Sequence, residues 1–224
     1  MKNNTIMIAA LAAAALAAGA AHAQSANTWM IGVGATQISP KVSSGTLSAP
    51  STPNTQIDVD SNTQPSVWVT RMLTDHWSVE VPIAAAFKHR ISGAGSIAGV
   101  GQIGTVKALP VTVFAQYRFL EPNARIRPYV MLGLTYAHFY GARGSAALNA
   151  LNPINPAGGT GLSVDSKWGV TPGLGASFAI TDKWFADAQY ARAFLKTTAH
   201  LSTGQTISTK LDPNVVRLGV GMRF

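Results

Sequence analysis

Val216-Arg217-Leu218-Gly219-Val220-Gly221-Met222-Arg223-Phe224 is the final stretch of the chain. Val216, Leu218, Val220, Met222 and Phe224 alternate with Arg217, Gly219, Gly221 and Arg223. Successive side chains of a strand point to opposite faces, so this segment carries one wholly apolar face and one of glycine and arginine alone. An ordinary last strand of a soluble sandwich would seldom end flush at an aromatic. A strand ending at Phe224 has the form of the C-terminal signal that outer-membrane barrel insertion machinery reads. That machinery is therefore an expected partner.

The same two-residue period recurs upstream. It predicts strands over Trp29 to Ser39, Gln64 to Leu73, Trp77 to Phe87, Ala108 to Phe119, Pro128 to Tyr140, Lys167 to Ile180 and Trp184 to Thr197. With the terminal segment they make eight, each long enough for a membrane-crossing strand of about 9–11 residues. One face of these strands is apolar, as with Trp77, Val79, Val81 and Ile83, or Val130, Leu132 and Leu134. The opposite face carries Glu80, Gln116, Arg118, Asp187, Gln189, Arg217 and many glycines. A soluble barrel would be apolar inside and charged outside. Apolar outside and polar inside is the pattern of a transmembrane barrel. Eight strands enclose an interior that side chains can largely fill, so Glu80 and Asp187 are expected to pair with inward arginines as a structural plug.

Connections alternate in length. Long Ser/Thr/Pro- and Gly-rich stretches (Pro40 to Thr63, Lys88 to Lys107, Gly141 to Ser166, Thr198 to Lys210) alternate with Thr74-Asp75-His76, Leu120 to Arg127 and Thr181-Asp182-Lys183. Outer-membrane barrels have long external loops and short periplasmic turns, and the long ones here are expected to be mobile or to fold over the mouth. Trp77, Phe119, Phe178, Trp184 and Phe224 lie at the short-turn ends; Tyr136, Tyr140, Phe139, Phe87 and Phe194 lie nearer the long-loop ends. Amphipathic rings favour the two membrane interfaces.

At the other end Lys2, the apolar run Ile6 to Ala18, and small residues Ala21 and Ala23 form a secretory signal peptide, with cleavage expected after Ala23. The run is about half the length a bilayer-spanning helix needs. Residues 1–23 are thus read as a removed leader and 24–224 as one barrel domain, placed in the outer membrane of a Gram-negative cell. The chain is 47% hydrophobic and 12% charged, and a soluble domain usually has about 25% charged residues. It has no cysteine, which excludes disulfides and thiol chemistry. Its net charge is +8 and its pI about 10.1. The cations are scattered, without a basic helix or aromatic platform, so no nucleic-acid partner is expected. Cations at the rim of a barrel in a lipopolysaccharide leaflet account for the charge more simply.

Other chemistries are less well supported. His200-Leu201-Ser202 places a histidine and a serine on one strand face, the arrangement of outer-membrane lipid A deacylases, but a working site needs a carboxylate to orient the imidazole. Glu80 and Glu121 are expected at the far end, leaving Asp212 as a substitute. His76, His89, His138 and His200 are dispersed, without ligand spacing for a metal. The glycines Gly93, Gly95, Gly99 and Gly101 lie in a loop and imply no phosphate cradle. No catalytic residue, metal or cofactor is assigned.

Five stretches carry a resemblance. They are Pro82-Ile83-Ala84-Ala85-Ala86-Phe87-Lys88-His89-Arg90-Ile91; Gly104-Thr105-Val106-Lys107-Ala108-Leu109-Pro110 running into Ala115-Gln116-Tyr117-Arg118-Phe119; Arg127-Pro128-Tyr129-Val130-Met131-Leu132-Gly133; Asp165-Ser166-Lys167-Trp168-Gly169; and Lys210-Leu211-Asp212-Pro213. In order and spacing the chain resembles the OmpW family over nearly its whole mature length. The resemblance implies an eight-stranded barrel with a narrow, substantially hydrophobic lumen, and passive passage of small hydrophobic solutes, with a lateral opening in the wall. Glu80, Pro82, Thr112, Gln116, Arg118, Thr135, Asp187, Gln189, Ala191 and Arg217 are expected to line the lumen, small Ala191 leaving room in it. Pro82 and Pro172 cannot donate to a ladder. Each marks either a lateral gate or a simple bulge, and Trp168 belongs to the mouth or to the upper aromatic girdle. Partners under this reading are outer-membrane lipids and lipopolysaccharide. The alternative is a surface-interaction barrel with a plugged lumen, whose loops bind lipopolysaccharide, host or phage.

Overall fold

The computed structural model describes residues 24–151 and 159–224. The expected leader, residues 1–23, lies outside the described residues. The strands in chain order are β1 (Trp29–Ser39), β2 (Ser43–Ser44), β3 (Thr55–Val59), β4 (Asn62–Met72), β5 (Trp77–Ala84), β6 (Phe87–Gly95) and β7 (Gln102–Arg118). After them come β8 (Ile126–Gly144), the short helix α1 (Ala146–Ala150), β9 (Leu162–Val164), β10 (Lys167–Ala179), β11 (Trp184–Arg192), β12 (Lys196–Leu201), β13 (Thr206–Lys210) and β14 (Asn214–Arg223).

Eight of these close on themselves. Antiparallel ladders join β1 to β4, β4 to β5, β5 to β7, β7 to β8, β8 to β10, β10 to β11, β11 to β14, and β14 back to β1. A closed ring leaves no open sheet edge facing lipid, the condition for crossing a membrane with strands. The outward side chains are large, apolar and uncovered, for example Leu218 at 60% and Leu132 at 57% exposure. Two of the short turns repeat one device: Thr74 Oγ1 accepts from the Trp77 amide at 2.9 Å, and Thr181 Oγ1 accepts from the Trp184 amide at 3.0 Å. Each hydroxyl stands in for a backbone acceptor in the turn and sets its tryptophan at the periplasmic interface.

The long connections are more ordered than the sequence suggested. β7 and β8 run 17 and 19 residues, well beyond a single crossing. β6 pairs with the upper half of β7, and β3 pairs with β6. β2, β13, β12 and β9 form a second sheet in that order. Together they raise a walled extension above the membrane ring. Two expected strands prove to be two strands each. The third breaks at Ala85-Ala86 and the seventh between Arg192 and Lys196. The Ala85-Ala86 break reverses the phase, so Phe87 and, by its own odd phase, Phe139 face the interior rather than the outer girdle. Trp168 faces outward at 64% exposure, its ring 4.9 Å from that of Tyr136. It stands beside Tyr136 on the outer face, the girdle position of the two that the sequence left open.

Candidate functional site: a lumen with two halves

The inward positions of each strand change character at the same depth. Reading up from the periplasm, β5 presents Ser78, Glu80, Pro82 and Ala84; β7 presents Arg118, Gln116, Phe114, Thr112, Pro110 and Ala108. β8 presents Tyr129, Met131, Thr135, Ala137 and Phe139, and β14 presents Arg217, then Val215. The lower half is mainly polar and filled; the upper half is apolar and hollow.

Arg217 organises the lower half. Its Nη1 lies 2.7 Å from Glu80 Oε1, and its Nη2 lies 3.1 Å from Asp187 Oδ1. All three are almost fully buried. Thr70 donates to Glu80 at 3.1 Å, and Tyr129 and Ser177 each donate to Asp187 at 3.0 Å. Two carboxyl groups thus share one guanidinium in this layer. Arg118 lies below, donating to Gln116, Ser177, Ser78 and Gln24, with its guanidinium carbon 4.6 Å from the Tyr129 ring centroid. Beneath the ionic layer Met30, Trp68, Met72 and Phe185 form a buried apolar cluster. At the periplasmic end Arg127 donates to the carbonyls of Gln24, Phe119 and Asp75. Glycine makes this filling feasible. A Cβ on Gly32 would stand 2.1 Å from Trp68 Cζ2, and one on Gly175 would stand 2.4 Å from Tyr129 Cζ. The large rings therefore lie flat against a wall that has no side chain there.

Above the ions comes a belt of hydroxyls. Thr135 Oγ1 lies 2.8 Å from Thr112 Oγ1 and 2.7 Å from Thr171 Oγ1, and Thr36 donates to Ser66 at 2.8 Å. These pairs satisfy one another, so the belt presents few free polar atoms upward. A cavity of about 140 Å³ opens above it, lined by Pro82, Phe87, Pro110, Phe139, Leu195 and Val215 among others. A second cavity of about 300 Å³ lies within the extension, lined by Leu47, Ile97, Ile103, Leu148, Leu162 and Leu201. Ile57, Ile91 and Ala199 line both.

The wall of the lower cavity is unpaired along one seam. The β5–β7 ladder stops at Glu80↔Phe114, and β7 is paired again, now with β6, from Phe87↔Ala108. Val81 to Ala86 face Leu109 to Val113 with no ladder between them. Proline stands on both sides, Pro82 and Pro110, and neither has a backbone donor to offer. Pro172 differs. It lies on the outward phase of β10, paired in register with Leu132, and is not among the cavity's lining residues.

Of the residues singled out from sequence, Glu80, Gln116, Arg118, Asp187 and Arg217 meet in the lower lock. Pro82, Thr112, Thr135, Gln189 and Ala191 line the cavity, with Arg217 beneath it. Ala191 is also packed with Phe114, Tyr129 and Met131, at the floor of that cavity. The sequence reading missed Phe87, Pro110, Phe114, Phe139, Leu195 and Val215, all apolar on the inward phase. His200 meets Asp165 at 3.2 Å and not Asp212, while Ser202 Oγ accepts from the Gly161 amide. Asp212 instead accepts from the Leu195 amide at 3.0 Å.

The OmpW family model matches residues 25–224. The chain is 32% identical over 230 residues to outer membrane protein W of Vibrio cholerae, covering 100% of both chains. It is 31% identical over 224 residues to outer membrane protein W of Escherichia coli K12, covering 98% of this chain and 99% of that one. The crystal structure of the outer membrane protein OprG from Pseudomonas aeruginosa shares its fold, with a TM-score of 0.80 at 24% identity over 89% of this chain and 97% of that one. A closed eight-stranded ring with polar filling below and an apolar chamber above, matched along its length by these outer-membrane barrels, places the chain in the OmpW family of outer-membrane proteins.

Proposed function

We propose that the barrel passes small, mostly hydrophobic molecules from outside the cell into the upper half of its lumen and out sideways through the seam between β5 and β7. The observation that carries this reading is the joining of an apolar cavity, closed below by the Arg217 lock, to an unpaired stretch of wall. A straight path to the periplasm would cross buried charges and tightly packed rings. A sideways path leaves between Pro82 and Ala84 on one side and Pro110 and Thr112 on the other, and meets no charged side chain there. An apolar solute is stabilised by about 25 cal/mol per Å² of its surface removed from water, in the cavity and again in lipid, so passage is downhill and requires no energy input. The reading assigns no catalytic residue.

The test is uptake of an apolar dye by cells whose lipopolysaccharide leaflet otherwise excludes it, together with conductance of the refolded protein in planar bilayers. The wild-type barrel should speed uptake and carry no steady ion current. Ala84→Trp fills the seam from within and should return uptake to the level of cells without the barrel. Ala115→Trp, on the lipid-facing side, should leave it unchanged. Equal uptake by Ala84→Trp and wild type would overturn the sideways route. No uptake by any of the three would overturn the passage itself and leave the work to the external loops.

A further inference from the structure

Cations stand on the outer wall immediately above the seam. Lys88 of β6 is the cross-strand partner of Lys107 of β7, and Lys107 is opposite Tyr140 of β8. One outward position higher, Arg90 is opposite Thr105, and Thr105 is opposite Arg143. All four cations are exposed. Strands lie about 4.8 Å apart and same-face residues about 6.8 Å apart along a strand, so the four occupy a patch of roughly 10 by 7 Å. None of them forms an ion pair with a carboxylate among the described residues. Asp58 and Asp60, at the β3 edge, make no ion pair with them either. Like charges directly opposite on a sheet repel. The Lys88–Lys107 pair is therefore a cost to the isolated barrel that a bound anion would offset.

The depth of the patch identifies the anion. Tyr136, His138 and Tyr140 stack up the outer face of β8, with centroid separations of 6.4 and 5.5 Å. Trp168 leans on the lowest of them. Such rings mark the membrane interface, and Lys107 Nζ lies 5.9 Å from the Tyr140 centroid at the top of this column. The cations thus begin where acyl chains end and headgroups start. In the outer leaflet that headgroup is lipid A, a phosphorylated disaccharide, and arginine and lysine are the side chains that bind phosphate. Below the patch Ile83, Val111 and Val113 leave apolar wall exposed on both sides of the seam.

We propose that Lys88, Arg90, Lys107 and Arg143 bind the phosphates of one lipid A molecule, whose acyl chains then lie across the seam between β5 and β7. The site stands independently of the passage reading. It makes the lipid a cover that a solute leaving sideways must part.

Binding of lipid A to the barrel in phospholipid nanodiscs, followed by native mass spectrometry, tests this. The variant Lys88→Gln/Arg90→Gln/Lys107→Gln/Arg143→Gln should bind lipid A about tenfold or more weakly, since it removes all four cations that would hold the phosphates. A comparison variant, Lys41→Gln/Lys196→Gln/Lys210→Gln, removes exposed charge elsewhere on the extension, where Lys196 and Lys210 also face each other. It should bind as wild type does. Dephosphorylated lipid A should bind wild type no better than lipid A binds the fourfold variant. Heat-modifiable gel mobility confirms that each variant is folded. Equal losses in the two variants, or undiminished binding of dephosphorylated lipid A, would overturn the site.

Discussion

Arg217 lies over Trp68, its guanidinium carbon 4.1 Å from the ring centroid, while its two terminal nitrogens hold Glu80 and Asp187. One side chain therefore joins the β4–β5 wall to the β11–β14 wall across the lumen, two pairs of strands with no ladder between them.

Replacing that side chain should be costly. Arg217→Met leaves two buried carboxylates facing each other without their cation, and breaking a buried pair in this way costs about 3–5 kcal/mol. Urea unfolding of the barrel folded into vesicles should show the loss. Adding Glu80→Gln and Asp187→Asn to the same chain should restore at least half of it. An Arg217→Met barrel as stable as wild type would mean that the ionic lock carries no weight.

The wall glycines make a second case. Gly32→Ala drives a methyl into the Trp68 ring, which cannot retreat without leaving Arg217. Overpacking of this kind costs about 1–3 kcal/mol. With Trp68→Leu already present, the same substitution should cost much less, because the two sites share one volume and their effects do not add. Additive losses would show that the ring and the glycine are independent.

His89 gives the extension a pH dependence. Its ring is buried above the membrane, and Nδ1–H donates to the Asp60 carbonyl at 2.7 Å. Burial pushes its pKa below the usual 6.5, while the Asp60 hydrogen bond and the Asp60 charge oppose the shift. The folded state thus favours the neutral ring. Its contribution is complete above about pH 6.5 and is lost as pH falls from there through the lowered value. Limited proteolysis should cut the β3–β6 region faster at acid pH than at neutral pH, and His89→Gln should remove the difference. The same acid sensitivity in His89→Gln would refute the assignment.

Fluorescence reports which side of the wall each indole occupies. Trp68 is 1% exposed, whereas Trp29, Trp77, Trp168 and Trp184 are all exposed on the outside. Brominated lipids should quench a chain that keeps only Trp168 and leave one that keeps only Trp68 bright. Quenching of Trp68 would place its ring outside the lumen.

The membrane ring was legible because the signal that builds it is local. Each crossing strand alternates within its own ten or so residues, and lipid demands that one face be apolar along the whole crossing. The plug was legible only in part. Glu80 and Asp187 were expected to find inward arginines, and both find Arg217. Their separations of 137 and 30 residues are set by barrel closure, which no single strand records. Arg118, equally inward by phase, is taken instead by Gln24, Ser78, Gln116 and Ser177. The chamber was hidden for a different reason. Apolar residues on both phases, as in Val106 to Val113, blur the alternation where the inward face stops being polar. The extension escaped notice because β9 and β13 are too short, at three and five residues, to show a period against Ser- and Thr-rich surroundings.

The change of inward character at the threonine belt amounts to a sorting rule written in depth. Water and ions that wet the mouth meet mostly oily walls before they reach the buried charges, which are already engaged with one another. Under the proposed passage a greasy solute meets the reverse order, comfort first and refusal below, with its way out at the level where refusal begins. If that passage holds, a cell with such a barrel takes up oil through its wall without becoming leakier to salt.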